Sequence, residues 1–348
     1  MKRDYLLGGN TTEGFFSYYD YLADAEEVRK VYIIKGGPGT GKSTTMKTVG
    51  KWGEEKGFSV DYVHCSSDPS SLDGVIIKDI GIAMVDGTSP HVVDAKNAGA
   101  VETILNMGEF WNEDAIRDNK KAIMECNKKI SARFKEAYNF LEAAGCLSRN
   151  CNVHLNSEKV AQSVEKILEN VPISGKGRKK VRKLFSEAIT PEGIISYADT
   201  IKCENNVVLK SELYGGAGKI TEVLAEKLIN QGFDVELFYS PLNPETEIRN
   251  IVVPELSLSV VTSDILSLAD ESGAMLIDTD AFSETNTGPD YLRNKLFVMT
   301  MIQQAVRAIS GAKMMHDKLE SYYIPNIDFE KMEKKREEII LQLEKFAQ

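Results

Sequence analysis

The stretch VYIIKGGPGTGKSTTM, Val31 to Met46, decides how this chain is read. An apolar β-type run, Val31 to Ile34, leads into a cluster of glycines, and a helix-compatible run leaves from Ser43. Gly36, Gly41, Lys42 and Ser43 satisfy G-x-x-x-x-G-K-[ST] in full, in the strand–loop–helix context that pattern needs. Glycines let successive backbone N–H groups converge on one anion, and the following helix points its positive end at the same place. The pattern predicts a phosphate cradle from Gly36, Gly37, Pro38, Gly39, Thr40, Gly41, Lys42, Ser43 and Thr44. Within it Lys42 reaches the β- and γ-phosphates of a nucleotide, and the Ser43 hydroxyl ligates Mg²⁺.

A magnesium ion needs a second anchor, normally an acid at the carboxyl end of a buried parallel strand. In IGIAMVDG, Ile80 to Val85 reads as that strand and Asp86 stands at its end. No glutamate follows Asp86, so the acid pair that motor-type ATPases use to polarise water is missing. Between the two motifs, Ser59 to Cys65 reads as a strand followed by a turn-rich segment. Ligands of open α/β sheets sit beyond the carboxyl ends of strands, which places His64, Asp68, Asp73, His91 and Asp94 near the phosphates. Asp68 before Pro69 and Asp73 before Gly74 are also what turns use.

The chain has 348 residues, 42% of them hydrophobic, enough for two ordinary cores. Its formal net charge of -10 argues against non-specific attraction to nucleic acid or anionic membrane. The N-terminus lacks the apolar run of a signal peptide and no stretch is long and apolar enough to span a bilayer, so a cytoplasmic address is expected. Five cysteines, an odd number, exclude a fully paired disulfide framework. Cys146, Cys151 and His154 cluster in CLSRNCNVH and would hold zinc with a fourth ligand such as Cys126, although the spacing is not a finger pattern.

The chain repeats itself. TTEGFFSYYDYL (Thr11 to Leu22) returns as TPEGIISYADTI (Thr190 to Ile201), with Glu13 and Glu192 179 residues apart. KGFSVDYVHCSSDP parallels QGFDVELFYSPLNP, and VIIKDIGIAMVDG parallels IVVPELSLSVVTS, with Val75 opposite Ile251. Four ordered matches at nearly constant spacing mean a tandem duplication. SELYGGAGKI, Ser211 to Ile220, then reads as a degenerate second phosphate loop: Gly215, Gly216, Gly218 and Lys219 remain, with Lys219 set against Lys42. On that alignment Leu213 replaces Gly36, Ile220 replaces Ser43 and Thr262 replaces Asp86, so both magnesium contacts are lost.

Each copy ends in sequence with helical periodicity, the first from Asp114 to Gly145 and the second from Tyr291 to Tyr323 with a charged helix after it. The link VPISGKGRKKVRKLF is basic, and a solvated linker accounts for it. A sharper reading makes Arg182, the counterpart of Arg3, an arginine finger that stabilises charge on a transferring phosphoryl group. Nucleic-acid binding is disfavoured, since no aromatic residues interleave the basic ones.

With these residues in place the chain resembles a P-loop NTPase. The phrases HCSSDPSSLDG and DGTSPHVVD, with the duplication, resemble a poorly characterised bacterial family of tandem P-loop ATPases. The resemblance implies an α/β fold of two P-loop cores with mostly parallel sheets, each carrying a helical appendage, at residues 1–174 and 175–348. It implies ATP or another NTP with Mg²⁺ as cofactors at Gly36 to Thr44 and Asp86, and hydrolysis as the reaction. Two other functions fit the same loop: a kinase in which Asp68 or Asp86 activates the hydroxyl of a small-molecule or nucleotide acceptor, and an ATP-gated binding module for a protein partner.

Overall fold

A computed structural model describes residues 2–24, 26–151, 153–169, 171, 175–211, 216–284 and 288–347. The first repeat runs through β1 (Lys2–Tyr5), a hairpin of β2 (Gly8–Thr11) and β3 (Gly14–Ser17), β4 (Lys30–Lys35), α1 (Lys42–Glu55), β5 (Val60–His64), β6 (Leu72–Ile77), β7 (Ile82–Asp86) and β8 (Glu102–Asn106). Helices α2 (Glu113–Arg117), α3 (Lys120–Ser148) and α4 (Ser157–Leu168) follow. The second repeat has β9 (Val181–Leu184), the hairpin β10 (Glu187–Thr190) and β11 (Gly193–Ser196), β12 (Asn205–Lys210), α5 (Gly218–Asn230), β13 (Val235–Ser240), β14 (Asn243–Val253), β15 (Leu258–Ser263) and β16 (Met275–Asp278). It closes with α6 (Pro289–Tyr323) and α7 (Phe329–Glu344).

The two six-stranded sheets have one topology. The first is ordered β1-β5-β6-β7-β4-β8 and the second β9-β13-β14-β15-β12-β16, each strand in the place of its repeat partner. Both are mostly parallel, with one antiparallel strand, β6 or β14, in the middle. The parallel pairings were expected from the sequence; the antiparallel strand was not. Its cause is local: the link from β6 to β7 is a single 3-10 turn, Lys78–Ile80, closed by left-handed Gly81. So short a connection can join only antiparallel neighbours.

The duplicated hairpins match atom for atom. Thr11 Oγ1 donates to Gly14 O at 2.9 Å and accepts from Glu13 N, while Thr190 Oγ1 donates to Gly193 O at 2.8 Å and accepts from Glu192 N. Gly14 (φ 89°) and Gly193 (φ 116°) have backbone conformations that side chains rarely adopt, which explains the repeated E-G.

The register corrects one alignment. The strands β4 and β12 and the ends of α1 and α5 all correspond at a spacing of 175: Lys56 N bonds Trp52 O as Gln231 N bonds Lys227 O, and Phe58 N bonds Gly53 O as Phe233 N bonds Leu228 O. The buried positions Thr45, Met46, Val49, Gly50 and Gly53 of α1 then fall on Ile220, Thr221, Leu224, Ala225 and Leu228 of α5, all buried. Pairing Lys42 with Lys219 needs a spacing of 177, and two residues turn a continuous helix by about 200° and would take this stripe out of the core. Ala217 therefore stands where Lys42 does, Ser211 where Gly36 does, and Lys219 corresponds to exposed Thr44. Thr262 does occupy the position of Asp86: it pairs with Leu209 as Asp86 pairs with Ile34.

The chain forms two compact units, one of residues 1–8, 17–136 and 307–348, the other of residues 9–16 and 137–306. A boundary at 174/175 separates the sheets, but the last helical segment belongs with the first sheet and the first hairpin with the second. In the first unit Met332, Ile339 and Leu343 of α7 join the core made by Ile34, Met46, Val60, Ile77 and Met84. Asp328 caps α7 by accepting from Lys331 N. In the second unit Asn10 Nδ2 donates to Ile189 O at 2.9 Å, so the two hairpins meet at equivalent positions. No helix among the described residues is long and apolar enough to cross a membrane.

Edge strands are fixed by buried ion pairs. Arg3 on β1 makes two bonds to Asp61 on β5, at 3.1 and 2.8 Å, and Arg182 on β9 bonds Glu236 on β13 at 3.0 Å. Arg249 in β14 is fully enclosed, with Asp264 bidentate at 2.7 and 2.8 Å and Glu187 at 3.5 Å. Burial works against its charge, but the two carboxylates outweigh burial and hold the guanidinium ionised. Replacing it by Met strands two buried carboxylates. Arg249→Met is expected to destabilise the second unit by about 3–5 kcal/mol, read as a lower urea midpoint.

Candidate functional site

The loop from Gly36 to Gly41 bridges β4 and α1 with left-handed residues at Gly39 (φ 71°) and Gly41 (φ 69°). Thr40 Oγ1 donates to Gly37 O at 2.7 Å, and Thr45 Oγ1 donates to Gly41 O at 3.0 Å, tying the turn to its helix. Lys42 Nζ folds back to donate to Gly36 O at 3.1 Å and Gly37 O at 2.9 Å, with Asp86 Oδ2 at 3.6 Å. Ser43 Oγ accepts from Leu72 N at 2.9 Å. Pro38 is partly buried, and Thr44 is exposed on α1. Lys42 thus lies against Asp86, while the hydroxyl of the next residue, Ser43, is engaged by Leu72 N.

Asp86 ends β7 beside β4, and its Oδ1 accepts from Thr88 N at 2.9 Å and Thr88 Oγ1 at 2.5 Å. This turn starts a loop that Lys35 staples, donating to Gly87 O at 2.7 Å, Val93 O at 3.0 Å and Asp94 at 2.9 Å. Gly74 pairs with Val85 at the end of the antiparallel β6–β7 ladder, and just beyond it Asp73 lies near enough to Asp86 for the Asp86 charge to act on its carboxyl. The stapled loop also returns His91 to Asp73, Nε2 to Oδ2 at 3.3 Å. Tyr19 Oη donates to the same oxygen at 3.0 Å. Burial pushes the Asp73 carboxyl up; the neighbouring His91 opposes that and Asp86 adds to it. Burial, then Asp73, push the Tyr19 hydroxyl far up.

The other acids and histidines near the strand ends have local tasks. Asp68 accepts from Ser70 N at 3.2 Å, Ser70 Oγ at 2.7 Å and Ser71 Oγ at 3.2 Å, with Lys313 at 3.6 Å. Burial acts to raise its carboxyl, but the Ser70 hydroxyl and Lys313 outweigh it and hold it below the usual range, which suits a turn anchor better than a base. His64 Nε2 lies 2.8 Å from Asp4 at the sheet edge. Arg182 is accounted for by Glu236 on the neighbouring strand, with no phosphoryl chemistry required.

The chain's own C-terminal segment covers the Gly36–Gly41 loop, which nothing in the local motif indicates. Glu320 Oε1 accepts from Gly39 N at 3.1 Å. Trp111 and Tyr323 pack on Gly37, Ile324 on Gly39 and Met332 on Gly41. Backbone bonds from Asn112 N to Asn326 O and from Asp328 N to Phe110 O, both 2.8 Å, fasten the segment.

The corresponding place in the second repeat is built differently. Lys219 is exposed and pairs with Glu222 at 2.8 Å. Thr221 turns its hydroxyl inward to Ile248 O at 2.6 Å, and Thr262 Oγ1 donates to Arg249 O at 2.5 Å. Gly218 begins α5 and Gly216 precedes it; Gly215 and Leu213 lie outside the described residues. Among the described residues, the side chains close enough to share a metal ion are Cys65, Asp73 and His91, and separately His316, Asp317 and Glu320; Cys126, Cys146, Cys151 and His154 are in neither group. Comparison with protein families, with curated proteins and with solved structures finds no match to this chain.

The bond from Gly39 to Glu320 has a direct readout. The Gly39 amide is expected to be protected from hydrogen exchange in the nucleotide-free protein, and Glu320→Ala to speed its exchange, measured by deuterium uptake of the loop peptide.

Proposed function

We propose that the first repeat binds Mg-ATP and hydrolyses it, and that the second repeat has a structural or regulatory role. The observation that carries this reading is the full loop Gly36 to Ser43 between β4 and α1, with Asp86 on the adjacent strand 3.6 Å from the Lys42 ammonium. The loop amides and the N-terminus of α1 are the donors for phosphate oxygens. Lys42 exchanges the carbonyls of Gly36 and Gly37 for the β- and γ-phosphates, and Glu320 yields the Gly39 amide.

The Ser43 hydroxyl and Asp86 carboxylate are oxygen donors of the kind Mg²⁺ takes. Ser43 and Asp86 would hold the ion, which neutralises phosphate charge when bound. Lys42 adds positive charge where the γ-phosphoryl group develops negative charge, and the covering side chains Trp111, Tyr323 and Ile324 keep bulk water from the loop. Asp68 is engaged by Ser70, Ser71 and Lys313, so the kinase reading rests on Asp86 as its base; with Asp86 assigned to the ion, water is the favoured acceptor.

The second repeat lacks the lysine and both magnesium contacts, which supports a single active centre. Incubation with γ-labelled ATP is expected to release labelled phosphate. Lys42→Ala is expected to lower that release by on the order of 10²–10³-fold, while Lys219→Ala stays near wild type. Equal losses in the two variants would overturn the asymmetric arrangement, and label in a small molecule would overturn hydrolysis.

A further inference from the structure

We propose that Cys65, Asp73 and His91 form a binding site for a zinc-type divalent metal ion, next to the phosphate loop and distinct from the Ser43–Asp86 pair. Their ligand atoms, a thiol sulfur, a carboxylate oxygen and an imidazole nitrogen, all lie within 4.8 Å of one another. They come from three separate segments: the turn after β5, the start of β6 and the stapled loop after β7. A thiolate with an imidazole and a carboxylate is a zinc donor set, whereas magnesium takes oxygen alone.

Two further features point to a cation. Cys65 lies against Asp73, and the backbone amides of Ser67 and Asp68 reach the same sulfur; burial and then Asp73 push the thiol up, and the amides oppose this only in part. A sulfur and a carboxyl buried against each other gain from a positive partner between them. Tyr19 is placed as an outer support: it donates to Asp73 at 3.0 Å and its ring packs against that of His91, with centroids 5.2 Å apart. Such contacts orient ligands and fix their charge state.

The second repeat supplies the independent comparison. Its strand register puts Arg249 at the position of Asp73 and Ser240 at that of Cys65. Where the first repeat gathers anionic ligands, the second carries a permanent cation within the chain. Metal binding to the first repeat displaces the Cys65 thiol proton, with any proton on His91 or Asp73, to solvent, and forms bonds to sulfur, nitrogen and oxygen with no change of oxidation state.

The test uses the full chain, stripped with a chelator and titrated with Co²⁺ as a spectroscopic probe. One equivalent is expected to bind, with thiolate-to-cobalt charge-transfer absorption. Cys65→Ser is expected to lose that absorption, His91→Gln to weaken binding at least ~100-fold, and Lys42→Ala to keep both. Absence of the band from wild-type protein, or its persistence in Cys65→Ser, overturns the site. Should either variant fail to fold by circular dichroism, alkylation of wild-type Cys65, followed by mass spectrometry, decides. Slowing by one equivalent of Zn²⁺ supports the site, and an unchanged rate overturns it. None of these readouts depends on nucleotide, so they stand apart from the ATP experiment.

Discussion

The first unit is organised around the glycine-rich loop that joins β4 to α1. With Gly39 and Gly41 both left-handed, the loop offers donors that its own strand and helix do not use. Glu320 answers one of them, while Lys42 turns onto the carbonyls of Gly36 and Gly37. The cost of leaving polar groups unmatched in a covered site explains both contacts. It also explains why the covering segment carries an acid among Trp111, Tyr323, Ile324 and Met332.

Strand order then determines what surrounds the loop. Because β4 lies between β7 and β8, the end of β7 is brought beside the loop, and Asp86 with it. Because β6 runs antiparallel to β7, its first residues rather than its last are at that end, which adds Asp73. Lys35 closes the arrangement by holding the segment that returns His91. One short 3-10 turn, by forcing β6 to reverse, converts a single carboxylate at a strand end into a neighbouring pair.

How much was legible in the sequence follows from the range of each interaction. The loop, its flanking strand and helix, Asp86 and the duplication are local patterns and were readable directly. The nearness of Asp73 to Asp86 depends on a cross-strand register, and the partnership of Gly39 with Glu320 spans most of the chain, so neither leaves a spacing signal. Cys65 reads as the last residue of a strand, Ser59 to Cys65, and its neighbours Asp73 and His91 come from other segments, so no spacing links the three. Lys219 misled for a physical reason: G-x-G-K beside a helix start looks like a phosphate loop, but the buried stripe of α5 fixes the rotation of that helix and turns Lys219 to solvent.

Arg249 gives the second repeat a different kind of centre. A dissociable cation makes a site responsive, since occupancy follows concentration and pH. A guanidinium tethered to the backbone, clamped by Asp264 and Glu187, is always present and always charged. The duplicated core thus carries the balancing charge of its buried carboxylates within its own chain.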